Sequence, residues 1–188
     1  MIPYTFSVCP RKQIADFIEL HHYSHNVNGV STSYCFKITD NETLVGAMIF
    51  GQTAMANNWK KWVTQKEDLL ELRRLVCIDD TPRNTESWFI GKALRWLKQN
   101  TQVKRIISYA DPRFGHAGTI YKASNFEYLG VTQKSKVIVY NGKEYHEKTI
   151  RNSRNYKYAI IEALKTGEAY YIPVPGKHIY SYWLHKKE

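Results

Sequence analysis

Two hydrophobic periods alternate along the chain, one helical and one extended, and their order predicts the elements. Ile14, Phe17 and Ile18 recur at helical spacing behind Pro10, so a first helix is expected, ending in the polar His21–His25 segment and Asn28-Gly29. Tyr34 to Ile38 and Leu44 to Phe50 are apolar runs flanking the turn-forming Asp40-Asn41-Glu42-Thr43, which predicts a hairpin. Leu69 to Ile78 reads as a central strand closed by Asp79-Asp80-Thr81-Pro82. Asn84 or Thr85 then caps a helix that places Phe89, Ala93, Trp96 and Leu97 on one face. Val103 to Tyr109 is a strand, and Gly118 to Ser124 a short helix stopped at Asn125. Val137 to His146 forms a second hairpin around Asn141-Gly142, which suits a type I′ turn. A helix over about Tyr156 to Lys165, before Gly167, and an aromatic strand from His178 to Leu184 complete the order.

This succession predicts an α/β (α+β) fold with a central mixed sheet flanked by helices. With 188 residues the chain is expected to form a single domain, 1–188, of which about 147–188 is a basic helix-strand extension. No apolar run reaches eighteen residues, and MIPYTFSVCPRK lacks the apolar segment of a signal peptide, so an intracellular protein without membrane insertion is expected. Cys9, Cys35 and Cys77 are odd in number and far apart, which suits reduced core thiols.

Charge narrows the partner. Lys and Arg number 27 against 17 Asp and Glu, a net +10, and residues 133–188 alone hold 11 basic against 5 acidic side chains. Such a surface modestly favours a polyanion, with nucleic acid the candidate partner, although lysine-rich surfaces also serve solubility. Arg151, Arg154 and Lys157 are the expected phosphate contacts, with Lys177, Lys186 and Lys187 near the end of the chain. Trp59-Lys60-Lys61-Trp62 interleaves indoles with charge as a stacking surface would, yet tryptophan pairs also cover core edges. His116 either contacts substrate or braces its own loop.

The stretch SYADPRFGHAGTIYKASNFEYLG, with its leading strand and the helix before it, resembles the GNAT (N-acetyltransferase-like) fold, in which a phosphate loop and two helices frame an acyl-CoA cleft. The expected Gln/Arg-x-x-Gly-x-Gly/Ala loop is replaced by Arg83-Asn84-Thr85-Glu86-Ser87-Trp88, which has neither glycine and adds an acidic side chain. Arg83 and Ser87 remain candidate donor contacts. HHYS, ELRRLVCIDD, ESWF and the GHAGTIYKASNFEYLG string together resemble the phage Mom proteins, over roughly His22 to Gly130. That resemblance implies transfer of a carbamoylmethyl group to adenine in phage DNA, protecting it from host restriction, and implies Asp111, Tyr121, Tyr23 and His22 as the catalytic positions.

The chemistry of these side chains suits the implied reaction. An adenine exocyclic amine is a weak nucleophile, so a base such as Asp111, at the carboxyl end of a strand, would help remove its proton. A carbamoylmethyl group is joined through a saturated carbon, which simple acyl transfer does not supply. His22, Tyr23, Asp111 and Tyr121 offer the ligand types of a non-haem iron, making iron a candidate cofactor beside an acyl-CoA-type or other donor. Bland readings stand alongside: Tyr121 as a packed helix aromatic, Asp111 as the cap of the following turn, His21 and His25 as solvated turn residues. Of Arg73 and Arg74, adjacent on a strand, one is expected to enter the cleft and bind a phosphate or carboxylate, the other to pair with Glu71. A conventional acetyl-CoA-dependent N-acetyltransferase and a non-catalytic phage DNA-binding protein are the alternatives.

Overall fold

A computed structural model describes residues 2–55, 57–147, 150 and 156–185. The chain divides into two compact units, one of Met1–Ala110, Ala117–Gly130 and His178–Glu188, the other of Asp111–His116 and Val131–Lys177.

The first unit is built on a seven-stranded sheet. Its strands are β1 (Thr5–Val8), β2 (Tyr34–Asp40), β3 (Thr43–Gly51), β4 (Leu69–Cys77), β5 (Arg105–Ala110), β6 (Glu127–Val131) and β10 (His178–Trp183). Their spatial order is β1-β2-β3-β4-β5-β10-β6, so β4 is central, as its apolar run predicts. β10, from near the end of the chain, lies between β5 and β6 and pairs antiparallel with β5. The run in β3 is continuously apolar, and the Tyr34–Ile38 run of β2 is broken only by Lys37, because both faces are covered. Phe36, Ile38, Met48 and Phe50 pack with Phe89, Ile90, Ala93, Leu94 and Leu97 of helix α2 (Thr85–Asn100). Cys35, Ala47 and Ile49, on the alternate positions, pack with Ile14 and with Ile18 of helix α1 (Ala15–His21). Side chains such as Phe36, Phe50 and Phe89 are wholly buried, each stabilising the fold by roughly 1.5–3 kcal/mol.

Two irregularities shape the centre of this sheet. The β3–β4 register shifts between Ile49 and Phe50, opposite Arg74 and Leu72, so Arg73 is the extra residue of a bulge. β4 and β5 are paired in parallel only from Leu69–Arg105 to Glu71–Ile107, although β4 continues to Cys77 and β5 to Ala110. The ladder therefore opens into a wedge. Helix α3 (Thr119–Ala123) belongs to the same unit, and Asn125 behind it takes the left-handed conformation expected of its stop, φ 61°.

The second unit holds a three-stranded antiparallel sheet, ordered β8 (Lys143–His146), β7 (Ser135–Tyr140), β9 (Tyr170–Val174). Asn141 and Gly142 both have positive φ, 49° and 72°, as the tight β7–β8 turn requires. Helix α4 (Lys157–Thr166) covers one face, packing Ile160 and Ala163 on Ile138. Strand β9 escapes the sequence pattern because it contains Pro173, which an edge position tolerates. Strand β1 escapes it as a four-residue edge segment. No helix among the described residues is long and apolar enough to cross a membrane.

Candidate active site

The loop after α1 carries His22 and Tyr23, and several long-range contacts fix it. The His22 amide closes α1 on the Ile18 carbonyl at 2.9 Å. Arg74 donates from Nε and Nη2 to the Asn26 carbonyl at 3.2 and 3.1 Å, and Arg11 donates to the carbonyls of Val27 and Val30. His25, with φ 43°, places Nδ1 2.9 Å from the Glu19 carbonyl. His22 itself is buried, its ring centroid 4.2 Å from that of the exposed Tyr23 and the two planes tilted by 32°. Its Nδ1 lies 3.1 Å from the Ser24 amide, which donates to it, and 2.8 Å from the Ser24 hydroxyl.

At the wedge, the first unit collects polar side chains in an apolar setting. Glu71 is buried and pairs with Arg73 Nη1 at 2.8 Å, while its other oxygen accepts from the Ala54 amide. The Glu71 partner is thus Arg73, and Arg74 turns to the loop carbonyl. The Arg73 Nε is buried with no hydrogen-bond partner among the described residues. Ser108 bridges the mouth of the wedge, donating to the Leu72 carbonyl at 3.4 Å. Tyr109 accepts a hydrogen bond from Asn58. Tyr121 is packed between Phe126 and Tyr180, ring centroids 5.5 and 5.2 Å away. Burial pushes its hydroxyl up to about 12; Tyr23, Glu71 and Tyr180 nearby add to this, and a hydrogen bond with Ser108 opposes it. Tyr121 is therefore a neutral hydrogen-bonding phenol at pH 7.

Asp111 belongs to the second unit. Buried, it caps the turn that follows, accepting from the Arg113 amide at 3.1 Å, and it pairs with Arg113 at 3.4 Å and Lys177 at 3.1 Å. Burial alone would raise its pKa, but the hydrogen bonds and charge of Lys177 and Arg113 outweigh it and hold the carboxyl below the usual range. Arg113 also reaches Glu144 at 2.9 Å. Asp111, Arg113 and Lys177 line a cavity of about 160 Å³ with Thr132, Ser135, Val137, His146, Val174 and Pro175. An ionised carboxylate between two cations is a weak proton acceptor.

Among the described residues, no cluster of three or more His, Cys, Asp or Glu is placed to hold a metal. Of the implied iron ligands, His22 Nδ1 accepts from the Ser24 amide, so this ring would ligate through Nε2, and the Asp111 carboxylate is paired with two cations.

The replaced phosphate loop is a closed turn. Asn84 precedes α2 in a left-handed conformation, φ 70°, and gives it no side-chain cap; Thr85 and Ser87 instead donate to the carbonyls of Pro82 and Asn84. Arg83 is exposed beside it. Trp62 packs against the Arg105 guanidinium, which also lies 4.6 Å from the Trp183 ring and donates to the Trp62 carbonyl. Trp62 is thereby part of a wall, while Lys60 and Lys61 are exposed, with Lys60 over the Trp59 ring at 5.7 Å. His116 is exposed and Lys157 half-buried; Arg151, Arg154, Lys186 and Lys187 lie outside the described residues. Ser24, Ser108 and Arg113 were not singled out from the sequence. Arg113 stands within the ADPRFGH string, but a lone serine carries no signal of its partner.

Comparison with known proteins assigns the fold and the family. Arabidopsis thaliana NAA60 in complex with acetyl-CoA superposes with a TM-score of 0.58, covering 96% of this chain and 98% of that one at 9% identity. A probable acetyltransferase from Staphylococcus epidermidis gives 0.56, 96%, 98% and 12%, and an acetyltransferase from Bacillus cereus 0.57, 96%, 99% and 7%. The fold is that of the GNAT acetyltransferases. The methylcarbamoylase Mom of Escherichia phage Mu is 34% identical over 137 residues, which are 71% of this chain and 56% of the Mu protein. This chain thus matches little more than half the length of that relative. The family model described as the Mom protein family matches residues 3–188, and the chain belongs to that family.

Proposed function

We propose that this chain is a transferase that modifies phage DNA, placing a carbamoylmethyl group on the exocyclic amine of adenine and so shielding the DNA from host restriction. The observation that carries this reading is the kinship with the phage Mu methylcarbamoylase. Double-stranded DNA is the macromolecular substrate, in keeping with the net charge of +10, and the target base leaves the stack to be reached.

In the reaction, a bond forms between the amine nitrogen and the methylene carbon. The bond from that carbon to the donor's leaving group breaks, and one amine proton is released. Tyr121, neutral at pH 7, donates a hydrogen bond rather than accepting a proton. Tyr23 and His22 supply the mouth of the site, and Arg73, with its unpartnered Nε, supplies a donor for an oxygen of the transferred group or its carrier. Asp111 is the proposed proton acceptor. Already ionised, it gains basicity when Lys177 or Arg113 is drawn away, as competition from a phosphate would do.

The test is nucleoside mass spectrometry of DNA from cells expressing the protein. A new adenosine species carrying the carbamoylmethyl mass, absent with Asp111→Ala and Tyr121→Phe, is expected. Unmodified DNA with the wild-type protein sinks the reading. The wedge between β4 and β5 and the acetyl-CoA-bound structural neighbour favour a second reading, acetyl transfer from acetyl-CoA to an amine. An adduct lighter by one NH would establish it.

A further inference from the structure

We infer that Arg113 and Lys177 form a subsite for one backbone phosphate of the DNA, with Asp111 as the anchor that holds the two cations in place. The inference rests on the reading above that DNA is the substrate, and it adds where the backbone is gripped. Both cations line the cavity of the second unit, where Thr132 and Ser135 bring hydroxyls and Val137, Val174 and Pro175 form an apolar part. Cations and hydroxyls together suit phosphate oxygens. The volume, about 160 Å³, is close to the ~150 Å³ that accepts one benzene ring, so it has room for a single phosphate group and not for a nucleotide.

The roots of both side chains are fixed by the fold. Arg113 lies in the turn Pro112–Phe114, capped by the Asp111 carboxylate, which accepts from the Arg113 amide at 3.1 Å. Lys177 is tied to Thr132 twice: its amide donates to the Thr132 hydroxyl and its carbonyl accepts from the Thr132 amide, each at 2.9 Å. Gly176 permits this approach, since a Cβ there would collide with the Thr132 carbonyl oxygen. The buried Asp111 then draws the charged ends to one edge, Lys177 at 3.1 Å and Arg113 at 3.4 Å. An ammonium has three N–H donors and a guanidinium five, so the shared Asp111 carboxylate, with Glu144 on Arg113 at 2.9 Å, leaves donors to spare. Glu144 is half exposed and does not line the cavity, so water and salt screen it. Asp111, Arg113 and Lys177 sum to one positive charge, which a phosphodiester, a monoanion, neutralises. The phosphate also faces the Asp111 carboxylate. Its binding loosens the cations from Asp111, and by linkage the Asp111 charge weakens the binding.

Binding of the full-length protein to a duplex of arbitrary sequence, measured over a range of salt and without a donor, tests this. Each phosphate neutralised contributes about 0.9 to the slope of log K against log salt. Lys177→Gln and Arg113→Gln should each weaken binding severalfold and lower the slope by about one, because Asp111 cancels the cation that remains. The double variant should lose about one in all, since a single phosphate is involved. Lys177→Arg should restore the wild-type slope. Asp111→Asn keeps the shape and removes the opposing charge, so it should tighten DNA binding severalfold although it destabilises the fold. An unchanged slope in both single Gln variants, a loss of about two in the double variant, or weaker binding by Asp111→Asn overturns the inference. CoA is the second probe: if Lys177→Gln weakens CoA binding and leaves DNA binding untouched, the phosphate is the donor's and the inference falls. Unmodified DNA would leave the subsite standing, and an unchanged salt slope would leave the mass-spectrometric reading standing.

Discussion

Arg74 grips the Asn26 carbonyl with two nitrogens, Nε at 3.2 Å and Nη2 at 3.1 Å, tying the loop that bears His22 and Tyr23 to the central strand. Both bonds come from a charged, half-buried donor. Arg74→Ala should cost about 2 kcal/mol of stability, and Arg74→Lys most of that, since an ammonium cannot reproduce the fork. Hydrogen exchange should rise across residues 22–30 in both variants. An unchanged exchange pattern there would show the clamp to be idle.

Gly118 precedes α3 with φ 74°, and a Cβ there would lie 2.2 Å from the Tyr180 ring, whose hydroxyl donates to the Ala117 carbonyl at 2.7 Å. Gly118→Ala should cost about 3 kcal/mol, from left-handed strain and overpacking together. Gly115 has nearly the same φ, 73°, with nothing within 4 Å of its would-be Cβ, so Gly115→Ala should cost only about 1–2 kcal/mol. Thermal unfolding of the pair separates strain from collision.

Asp111 is held below the usual carboxylate range by Lys177 and Arg113 against its own burial. Because its folded pKa is depressed, its contribution to stability is present above the unfolded carboxylate value and lost as pH falls through the folded one. Asp111→Asn should lower stability by about 1–3 kcal/mol at neutral pH, discounted for the partial exposure of both cations. The gap to wild type should close below about pH 4. Denaturant midpoints across that window check the sign.

Cys35 and Cys77 are free thiols, pushed up to about 11 and about 12, chiefly by burial, and Tyr121 is raised to about 12 in the same way. Raised folded values favour the native state fully below the unfolded pKa of each group, and the benefit is lost as pH rises through the folded one. Stability should therefore decline from about pH 9 upward. Native protein at pH 8 should react with thiol reagents far more slowly than unfolded protein, and Tyr121→Phe should lose adenine modification while keeping its fold.

Much of the architecture follows from sequence because its signals are local. Asn141-Gly142 and Asn125 adopt the left-handed conformations their chemistry permits, and the continuous apolar run of β3 declares a strand buried on both faces. The Mom-like string likewise singled out Tyr121, Asp111 and the His22-Tyr23 pair. What the string could not carry is the state of those residues, since a side chain's charge and proton positions depend on partners distant in the chain. Strict alternation sends Arg73 and Arg74 to opposite faces and puts Arg73, two residues on, beside Glu71, but it does not say what Arg74 meets. The loop carbonyl of Asn26 settled that, with Arg73 on the carboxylate and Arg74 on the loop. The sequence by itself determined the order of elements, the family and the chemical identity of the candidate groups. Only tertiary structure decided that Asp111 stands ionised between Arg113 and Lys177, that Tyr121 stays neutral, and that β4 and β5 part after Glu71. Burial and long-range pairing set those properties, and neither is encoded by neighbours along the chain.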